Sequence, residues 1–237
     1  MGDDDLITVE FAPELRFFLS SRFRSGTATA PSDGTSSLGH VVESLGVPLT
    51  EVGPLSVGGR PAGPGYRPRP GDRVRVLPVQ RPQPLPAPRF VLDVHLGALA
   101  RRMRLVGLDT AYRNDLADAD LVEQANAEHR AALTKDRGLL QRRKLWFGAY
   151  VRHDRADDQL ADVLDRFAPP LRPWTRCPAC NGLLAPISKH HVEHLLLPGT
   201  RRTYDDFSRC GACGRVYWRG AHSARLTAVV ARATGTS

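Results

Sequence analysis

Four cysteines form two matching pairs near the C-terminus, in the stretches RCPACNG and RCGACGR. Within each pair two residues separate the cysteines, a spacing that turns the chain so that two sulfurs can meet one metal ion. Two such knuckles supply four thiolates, which suits tetrahedral zinc and leaves no open position for catalysis. We therefore predict a structural zinc ion held by Cys177, Cys180, Cys210 and Cys213. Disulfides need an oxidising compartment, and nothing in the sequence indicates secretion. A redox-active pair is typical of one such motif and does not explain two matching motifs.

Aspartates that follow or precede short apolar stretches suggest a second kind of chemistry. Asp93 ends RFVLD, Asp136 follows AALT, and Asp120, with Asp118 beside it, begins the helix-like stretch that leads to AALT. Gathered carboxylates repel one another unless a cation is present, and Mg²⁺ or Mn²⁺ prefers their hard oxygen atoms. Such a metal can generate hydroxide and stabilise the leaving oxygen of a phosphodiester. The sequence thus allows a divalent-metal site.

Each of these acids also has an ordinary explanation. Asp118 or Asp120 can cap a helix or lie in its first turn. Asp136 can pair with Lys135 or Arg137 at the surface, where ion pairs contribute little. An aspartate at the end of an apolar strand is less common, so Asp93 favours a functional interpretation.

The elements around these acids alternate between strand and helix. After residue 88 the strand-like stretches are RFVLD, LDTAYR, AALT and FGAYVRH, and the helix-like stretches are HLGALARRMRLVG, DADLVEQANAEH and DDQLADVLDRFA. This alternation predicts a parallel sheet with helices on both faces. In such sheets ligands bind beyond the carboxyl ends of the strands, where Asp93 and Asp136 would lie.

The N-terminal part has a different pattern. LITVEF and GDRVRVLPV alternate with strand period, TSSLGHVVESLGV reads as a capped helix, and Gly58-Gly59 suits a hairpin turn. This order resembles the ubiquitin-like β-grasp fold of small sulfur carriers, an α+β fold. Those carriers end in Gly-Gly, whereas this chain continues into a segment with proline at every second position from Pro82 to Pro88. We therefore expect a protein-interaction module followed by a semi-rigid spacer, rather than a carrier.

The net charge of +8 is unevenly distributed. Residues 1–88 carry nine basic and nine acidic residues, so the whole excess falls on residues 89–237. A basic excess confined to one half favours contact with a polyanion, for which RNA or DNA is the natural candidate. No apolar run approaches the roughly 20 residues of a membrane helix, and the acidic N-terminus resembles no signal peptide. We expect a cytoplasmic protein without membrane contact.

Several of these stretches resemble a known family. RFVLDVHLGALARRMRLVGLDTAYR, LTKDRGLL and the later cysteines are similar to the Mut-seven C-terminal RNase domain family, which pairs a PIN-like nuclease fold with a zinc ribbon. The resemblance covers most of Arg89 to Leu226, and several prokaryotic members also carry an N-terminal ubiquitin-like domain. It implies a metal-dependent endoribonuclease that hydrolyses RNA, in which Asp93, Asp120 and Asp136 hold Mg²⁺ or Mn²⁺. Asp118 and Asp109 are additional candidate acids.

The resemblance leads to four expected segments. They are a ubiquitin-like β-grasp domain at 1–79, a proline-rich linker at 80–88, a PIN-like nuclease domain at 89–170, and a zinc ribbon with C-terminal tail at 171–237. Thr134 is expected to support Asp136 through a hydroxyl hydrogen bond. His222 matches a family motif without an assigned role, and His190, His191 and His194 are expected at the surface or in contact with RNA.

Basic and aromatic side chains are candidates for nucleic-acid binding, because guanidinium groups hold phosphates and aromatic rings stack on bases. These are Arg101, Arg104, Lys135, Arg137, Arg215 and Trp218. A solvated helix face for the bases, and packing of Trp218 on the ribbon, are the plain alternatives. The alternative function is a non-catalytic RNA-binding adaptor whose β-grasp domain recruits a partner.

Overall fold

The computed structural model describes residues 6–218 together with residues 228 and 231. The chain divides into two compact units. The first comprises residues up to Gln83 together with Thr134–Tyr150, and the second comprises Pro84–Leu133 together with residues from Val151 onward. Within the described residues, no helix combines the length and apolar character needed to cross a membrane.

The first unit begins with a mixed sheet of five strands. Its strands are β1 (Leu6–Phe11), β2 (Thr27–Pro31), β3 (Val52–Val57), β4 (Arg60–Ala62) and β5 (Arg73–Pro78). Their spatial order is β2-β1-β5-β3-β4, in which β1 and β5 are parallel and the other neighbours are antiparallel. The predicted hairpin turn is confirmed, because Gly58 and Gly59 join β3 to β4 with positive φ angles of 55° and 80°.

One helix crosses this sheet, as its sequence pattern predicts. Helix α1 (Leu38–Ser44) begins at Ser37, whose side chain accepts a hydrogen bond from the backbone N–H of His40 at 3.3 Å. Its residues Leu38, Val41 and Val42 are buried against the inward side chains of the strands. The apolar residues that alternate in the strands and those spaced with helical period in α1 therefore form one hydrophobic core.

The second unit begins with strands that alternate with helices. The elements are β6 (Arg89–Leu92), α2 (Gly97–Leu105), β7 (Asp109–Tyr112), α3 (Asp118–Ala127) and β8 (Ala131–Thr134). Strand β6 lies between β7 and β8 and is parallel to both, which confirms the predicted parallel sheet. Phe90, Val91 and Leu92 are completely buried, as expected for a central parallel strand.

The segment Thr134–Tyr150 returns to the first unit. It contains the short helix α4 (Arg137–Leu140) and strand β9 (Gly148–Tyr150). Leu140 and Tyr150 join the core of the five-stranded sheet, and Leu145 packs against that core. This stretch lies inside the predicted nuclease domain at 89–170, so the structure adds a connection that the periodicity did not predict.

The second unit continues with α5 (Ala156–Phe167) and ends in a small antiparallel sheet. That sheet has the order β10-β11-β12, from Leu184–Ile187, Phe207–Cys210 and Val216–Trp218. Between β10 and β11 lie α6 (Lys189–Val192) and α7 (Pro198–Thr203). A mixed α/β chain with a ubiquitin-like N-terminal part, a parallel sheet and a C-terminal four-cysteine ribbon confirms the predicted fold class.

Candidate functional site

The two cysteine knuckles meet in the second unit. The sulfurs of Cys177, Cys180, Cys210 and Cys213 all lie within 4.8 Å of one another, and none forms a disulfide. The Sγ atoms of Cys177 and Cys213 are 3.7 Å apart, and those of Cys180 and Cys210 are 3.4 Å apart. A tetrahedron with Zn–S bonds of about 2.3 Å has edges of about 3.8 Å. The donor set and its spacing fit a structural zinc ion.

The pKa values of the cysteine thiols are also consistent with a bound cation. Burial raises the pKa of a thiol, but hydrogen bonds from the Tyr217 hydroxyl and from backbone N–H groups bring the pKa of Cys177 down to about 6. For Cys180, burial and the neighbouring cysteines raise the pKa to about 12. The cluster therefore favours some thiolates at the expense of others, and a divalent cation removes that conflict.

Arg104 connects the first knuckle to the parallel sheet. Its side chain, 3% exposed, donates from Nε to the carbonyl of Thr110 at 2.9 Å. Its Nη1 donates to the carbonyls of Pro178 and Ala179, at 3.2 and 2.9 Å. These partners are backbone acceptors inside the unit, whereas the sequence predicted phosphate contacts. Arg104 binds these carbonyls instead of phosphate because backbone carbonyls of the knuckle that are buried need hydrogen-bond donors.

Asp109 ties the same knuckle to strand β7. Its carboxylate accepts hydrogen bonds from Arg130 at 2.7 Å and Asn181 at 2.8 Å, and it pairs with Arg176 at 3.3 Å. Asn181 Oδ1 in turn accepts from the N–H of Thr110 at 3.0 Å. Burial opposes ionisation of Asp109, but these partners hold its pKa below the ordinary value. The contacts give Asp109 a structural role, so we leave it out of the proposed catalytic set.

The acid at the end of β6 is firmly placed. Asp93 is 5% exposed, and its backbone N–H donates to the carbonyl of Leu133 at 3.0 Å. Asp118 and Asp120 lie in the first turn of α3, where Asp118 is half-buried and Asp120 is exposed. Among the described residues, the four cysteines are the one group of three or more Cys, His, Asp or Glu side chains whose ligand atoms lie within 4.8 Å of one another. These three acids of the second unit do not form such a group.

Asp136 belongs to the first unit and caps a short helix. Its Oδ1 accepts from the N–H of Gly138 at 2.7 Å, at the start of α4. Its own N–H donates to Thr134 Oγ1 at 2.9 Å, so the Thr134 hydroxyl oxygen holds the backbone of Asp136. The acid itself is exposed, which leaves its second carboxylate oxygen accessible for other partners.

Arg137 follows Asp136 and anchors the segment within the first unit. Its guanidinium donates to the carbonyls of Phe18 at 2.8 Å and Phe17 at 3.2 Å, in the 3-10 turn Pro13–Phe18. The guanidinium carbon also lies 5.2 and 5.3 Å from the centroids of the two rings. The sequence predicted contact with phosphate, yet these observed partners belong to the protein.

The remaining candidates for nucleic-acid binding are more accessible. Arg101 and Arg215 are exposed, and Lys135 is half-buried. Trp218 is 39% exposed and its ring lies 6.2 Å from that of Phe207, as packing on the ribbon requires. His222 lies outside the described residues. Histidines His190, His191 and His194 are exposed, as expected from the sequence.

Sequence reasoning did not identify the supports of the knuckle. Asn181 follows the second cysteine directly and has a φ angle of 71°, a conformation in which asparagine is enriched. That position was a usable signal. Arg130 and Arg176 gave no such signal, because each becomes important through contact with an aspartate far away in the sequence.

Comparison with known proteins agrees with the resemblance. The family described as the Mut7-C RNAse domain matches residues 88–230, and the family described as Mut7-C ubiquitin matches residues 5–84. No curated protein matches the chain. A crystal structure of H. volcanii small archaeal modifier protein 1 is 17% identical and covers 32% of this chain and 98% of its own, with a TM-score of 0.26. A score this low supports no structural argument.

The first of these matches covers more than half of the chain. It includes the strand before Asp93, both cysteine knuckles, and Arg104 and Asp109, which connect the first knuckle to the parallel sheet. It agrees with a nuclease-type function and with the four-cysteine site. The chain belongs to the Mut7-C RNAse domain family, with a Mut7-C ubiquitin domain before it.

Proposed function

We propose that this protein is a metal-dependent endoribonuclease that hydrolyses RNA phosphodiester bonds. The observation that carries the proposal is the RNAse-domain match over residues 88–230, in which Asp93 directly follows the buried central strand β6. Ligand sites in parallel sheets lie at this edge. Asp93 is 5% exposed at this edge and directly follows the central strand, so the fold holds its carboxylate in a fixed place there.

Three acids are the proposed ligands of Mg²⁺ or Mn²⁺. Asp93 would provide the rigid ligand, while Asp120 and Asp136 would add oxygens from the first turn of α3 and from the cap of α4. Asp118, two residues before it in the same turn, is the alternative to Asp120. Carboxylate oxygens suit these ions, and Mg²⁺ keeps several waters, so its protein ligands need not touch one another. The bound ion would supply Lewis-acid chemistry to the phosphodiester.

Basic residues would hold the substrate. Arg101 and Arg215 offer exposed guanidinium groups for bidentate phosphate contact. Lys135 would add a point charge next to Asp136, and Trp218 would offer part of an indole face to a base. The zinc ribbon would act as a scaffold for these groups and take no part in bond cleavage, because its four thiolates fill the coordination of zinc.

The test is cleavage of a labelled single-stranded RNA by the zinc-loaded full chain, with Mn²⁺, with Mg²⁺ and without either ion. Asp93→Asn and Asp136→Asn are expected to lower the rate more than about 100-fold, since loss of even an outer-shell group near a metal costs 10–100-fold. Asp205→Asn is the matched control, because its carboxylate is 86% exposed and pairs with Lys189 at the surface. Cleavage that survives both test substitutions unchanged would exclude the catalytic assignment.

The second candidate is a non-catalytic RNA-binding adaptor. It is favoured by the spacing of Asp93, Asp118 and Asp120, whose carboxylate oxygens do not all lie within 4.8 Å of one another. In this case the chain binds RNA and releases it intact under every metal condition. The ubiquitin-like domain would then recruit a protein partner, which co-purification with the full chain would reveal.

A further inference from the structure

A cavity in the second unit lies between α2 and the zinc ribbon. Its volume is about 360 Å³. Among the described residues, three arginines and two tyrosines line it and no acidic residue does; they are Arg101, Arg104, Arg215, Tyr112 and Tyr217. Sites for small ligands begin at roughly 300 Å³, so this cavity has room for about one nucleotide. Its lining has the chemistry of an anion site with flat apolar walls.

Within the part of the chain that the structure describes, the two exposed arginines of this cavity have no acidic partner. Arg101 and Arg215 are exposed, and neither forms an ion pair with any carboxylate in the described part of the chain. Arg104 is different, because its Nε and Nη1 already donate to backbone carbonyls. Arg104 therefore adds positive charge at the base of the cavity, while Arg101 and Arg215 are available to bind an anion.

The walls of the cavity are held in place before any ligand arrives. The Tyr112 hydroxyl donates to the carbonyl of Val94 at 2.9 Å, and the Tyr217 hydroxyl lies 3.0 Å from Cys177 Sγ. Gly97 is needed for this packing, since a Cβ there would lie 2.6 Å from the Tyr112 hydroxyl oxygen. A site whose side chains are already ordered loses less entropy on binding.

The cavity is also close to the acid at the end of β6. Tyr112 lines the cavity and bonds to Val94, the residue directly after Asp93. A strand of nucleic acid held in the cavity would therefore leave it beside the carboxyl edge of the parallel sheet. The described residues of the lining include no acid that would repel a phosphate, which distinguishes this surface from the edge with Asp93.

We propose that this cavity binds one nucleotide of a single-stranded RNA, with its phosphate between Arg101 and Arg215 and its base against Tyr217. Guanidinium groups suit phosphate oxygens, and aromatic faces stack on any base. A free phosphate would use the arginines alone, whereas a nucleotide uses the tyrosine face as well. The identity of the ligand as RNA rests on the proposed function, but binding at this site does not require cleavage.

The experiment measures binding of a fluorescent single-stranded RNA to the zinc-loaded full chain, without added Mg²⁺ or Mn²⁺. Arg101→Ala and Arg215→Ala are each expected to weaken binding about tenfold, as for a lost hydrogen bond between charged groups. Each should also reduce the slope of log affinity against log salt by about 0.7, the value for one phosphate contact on a single strand. Zinc content of each variant, measured by mass spectrometry, shows that the ribbon is intact.

Arg155→Ala is the matched control, because that arginine is 82% exposed in the same unit and pairs with Asp158. It should bind like the wild type. Equal weakening by all three substitutions, or wild-type binding by both cavity variants, would overturn the site. Competition separates the ligand sources: adenosine monophosphate should displace the RNA at lower concentration than inorganic phosphate, and equal potency would contradict the stacking role of Tyr217.

The outcomes for this site and for the nuclease differ. RNA binding that depends on Arg101 and Arg215 without any cleavage would support the site while the nuclease proposal fails. Cleavage that depends on Asp93 and is unchanged by both arginine substitutions would support the nuclease proposal and exclude the nucleotide site.

Discussion

Arg104 and Arg137 lie in different units, yet each donates hydrogen bonds to backbone carbonyls of a distant part of its unit. Arg104 reaches the knuckle residues Pro178 and Ala179, and Arg137 reaches Phe17 and Phe18. From sequence alone, both looked like phosphate-binding side chains. The comparison shows that an arginine beside a candidate active site can be required by the fold, because its fork of donors satisfies carbonyls that a turn leaves exposed.

The two regions differ in what supports them. Around Arg104 the contacts are polar and largely buried, and they lead to the four cysteines. Around Arg137, which is half-buried, the segment Thr134–Tyr150 also contributes apolar residues to the core of the first unit. We therefore expect the knuckle to depend on metal and charge, and the Arg137 segment to depend mainly on hydrophobic burial.

Loss of the metal should have the largest effect. Cys210→Ser removes one thiolate and should abolish stoichiometric zinc, which costs much of a binding energy of about 10–16 kcal/mol. Hydrogen exchange should then show lost protection in β10, β11 and β12. Ser208→Ala, on the same strand, is the control and should retain zinc. Equal loss of protection in the five-stranded sheet of the first unit would contradict the expectation that the first unit depends mainly on hydrophobic burial.

Arg104→Ala should come next. It removes a buried donor from three carbonyls, and we expect a loss of about 3 kcal/mol or more in the free energy of unfolding of the second unit. Zinc affinity should fall about 10–100-fold, as for a supporting group behind metal ligands. Arg104→Lys should be intermediate, because an ammonium lacks the planar fork. Urea unfolding and competition with a chelator measure both effects, and an alanine variant with wild-type zinc affinity would remove Arg104 from this role.

Arg137→Ala should destabilise the first unit less, by about 1–2 kcal/mol, because its hydrogen bonds are partly open to solvent. Hydrogen exchange should increase in α4 and β9 while the core strands stay protected. Arg143→Ala in the same segment is the control, since that exposed side chain forms no described contact of this kind. If the two variants exchange alike, the bonds to Phe17 and Phe18 contribute nothing measurable.

The smallest effect should come from lowering the pH. The pKa of Asp109 is lowered in the folded chain, so its contribution is fully present above its ordinary value of 3.8 and is lost as pH falls through the lower, folded value. The difference in unfolding free energy between wild type and Asp109→Asn should thus be constant near neutral pH and shrink below about pH 4. Urea midpoints across this range measure it. A difference that grows on acidification would show that the sign is wrong.

Local patterns predicted much of the fold because the physics behind them is local. Alternation marked β1, helical period and a capping serine marked α1, and the change from strand to helix after residue 88 marked the parallel sheet. The cysteine spacing identified the ribbon for the same reason, since each knuckle closes within four residues. The aspartates were harder, because Asp93 and Asp136 belong to different units and no local spacing relates them.

The sequence by itself determined the types of element, the zinc ligands and the family, because periodicity, turn residues and ligand spacing act over a few residues. The tertiary structure alone decided that Arg104, Asp109 and Asn181 brace a knuckle, and that Thr134–Tyr150 joins the first unit. These contacts join residues about 70 to 120 positions apart, and burial, rather than sequence proximity, makes a charged side chain find such partners.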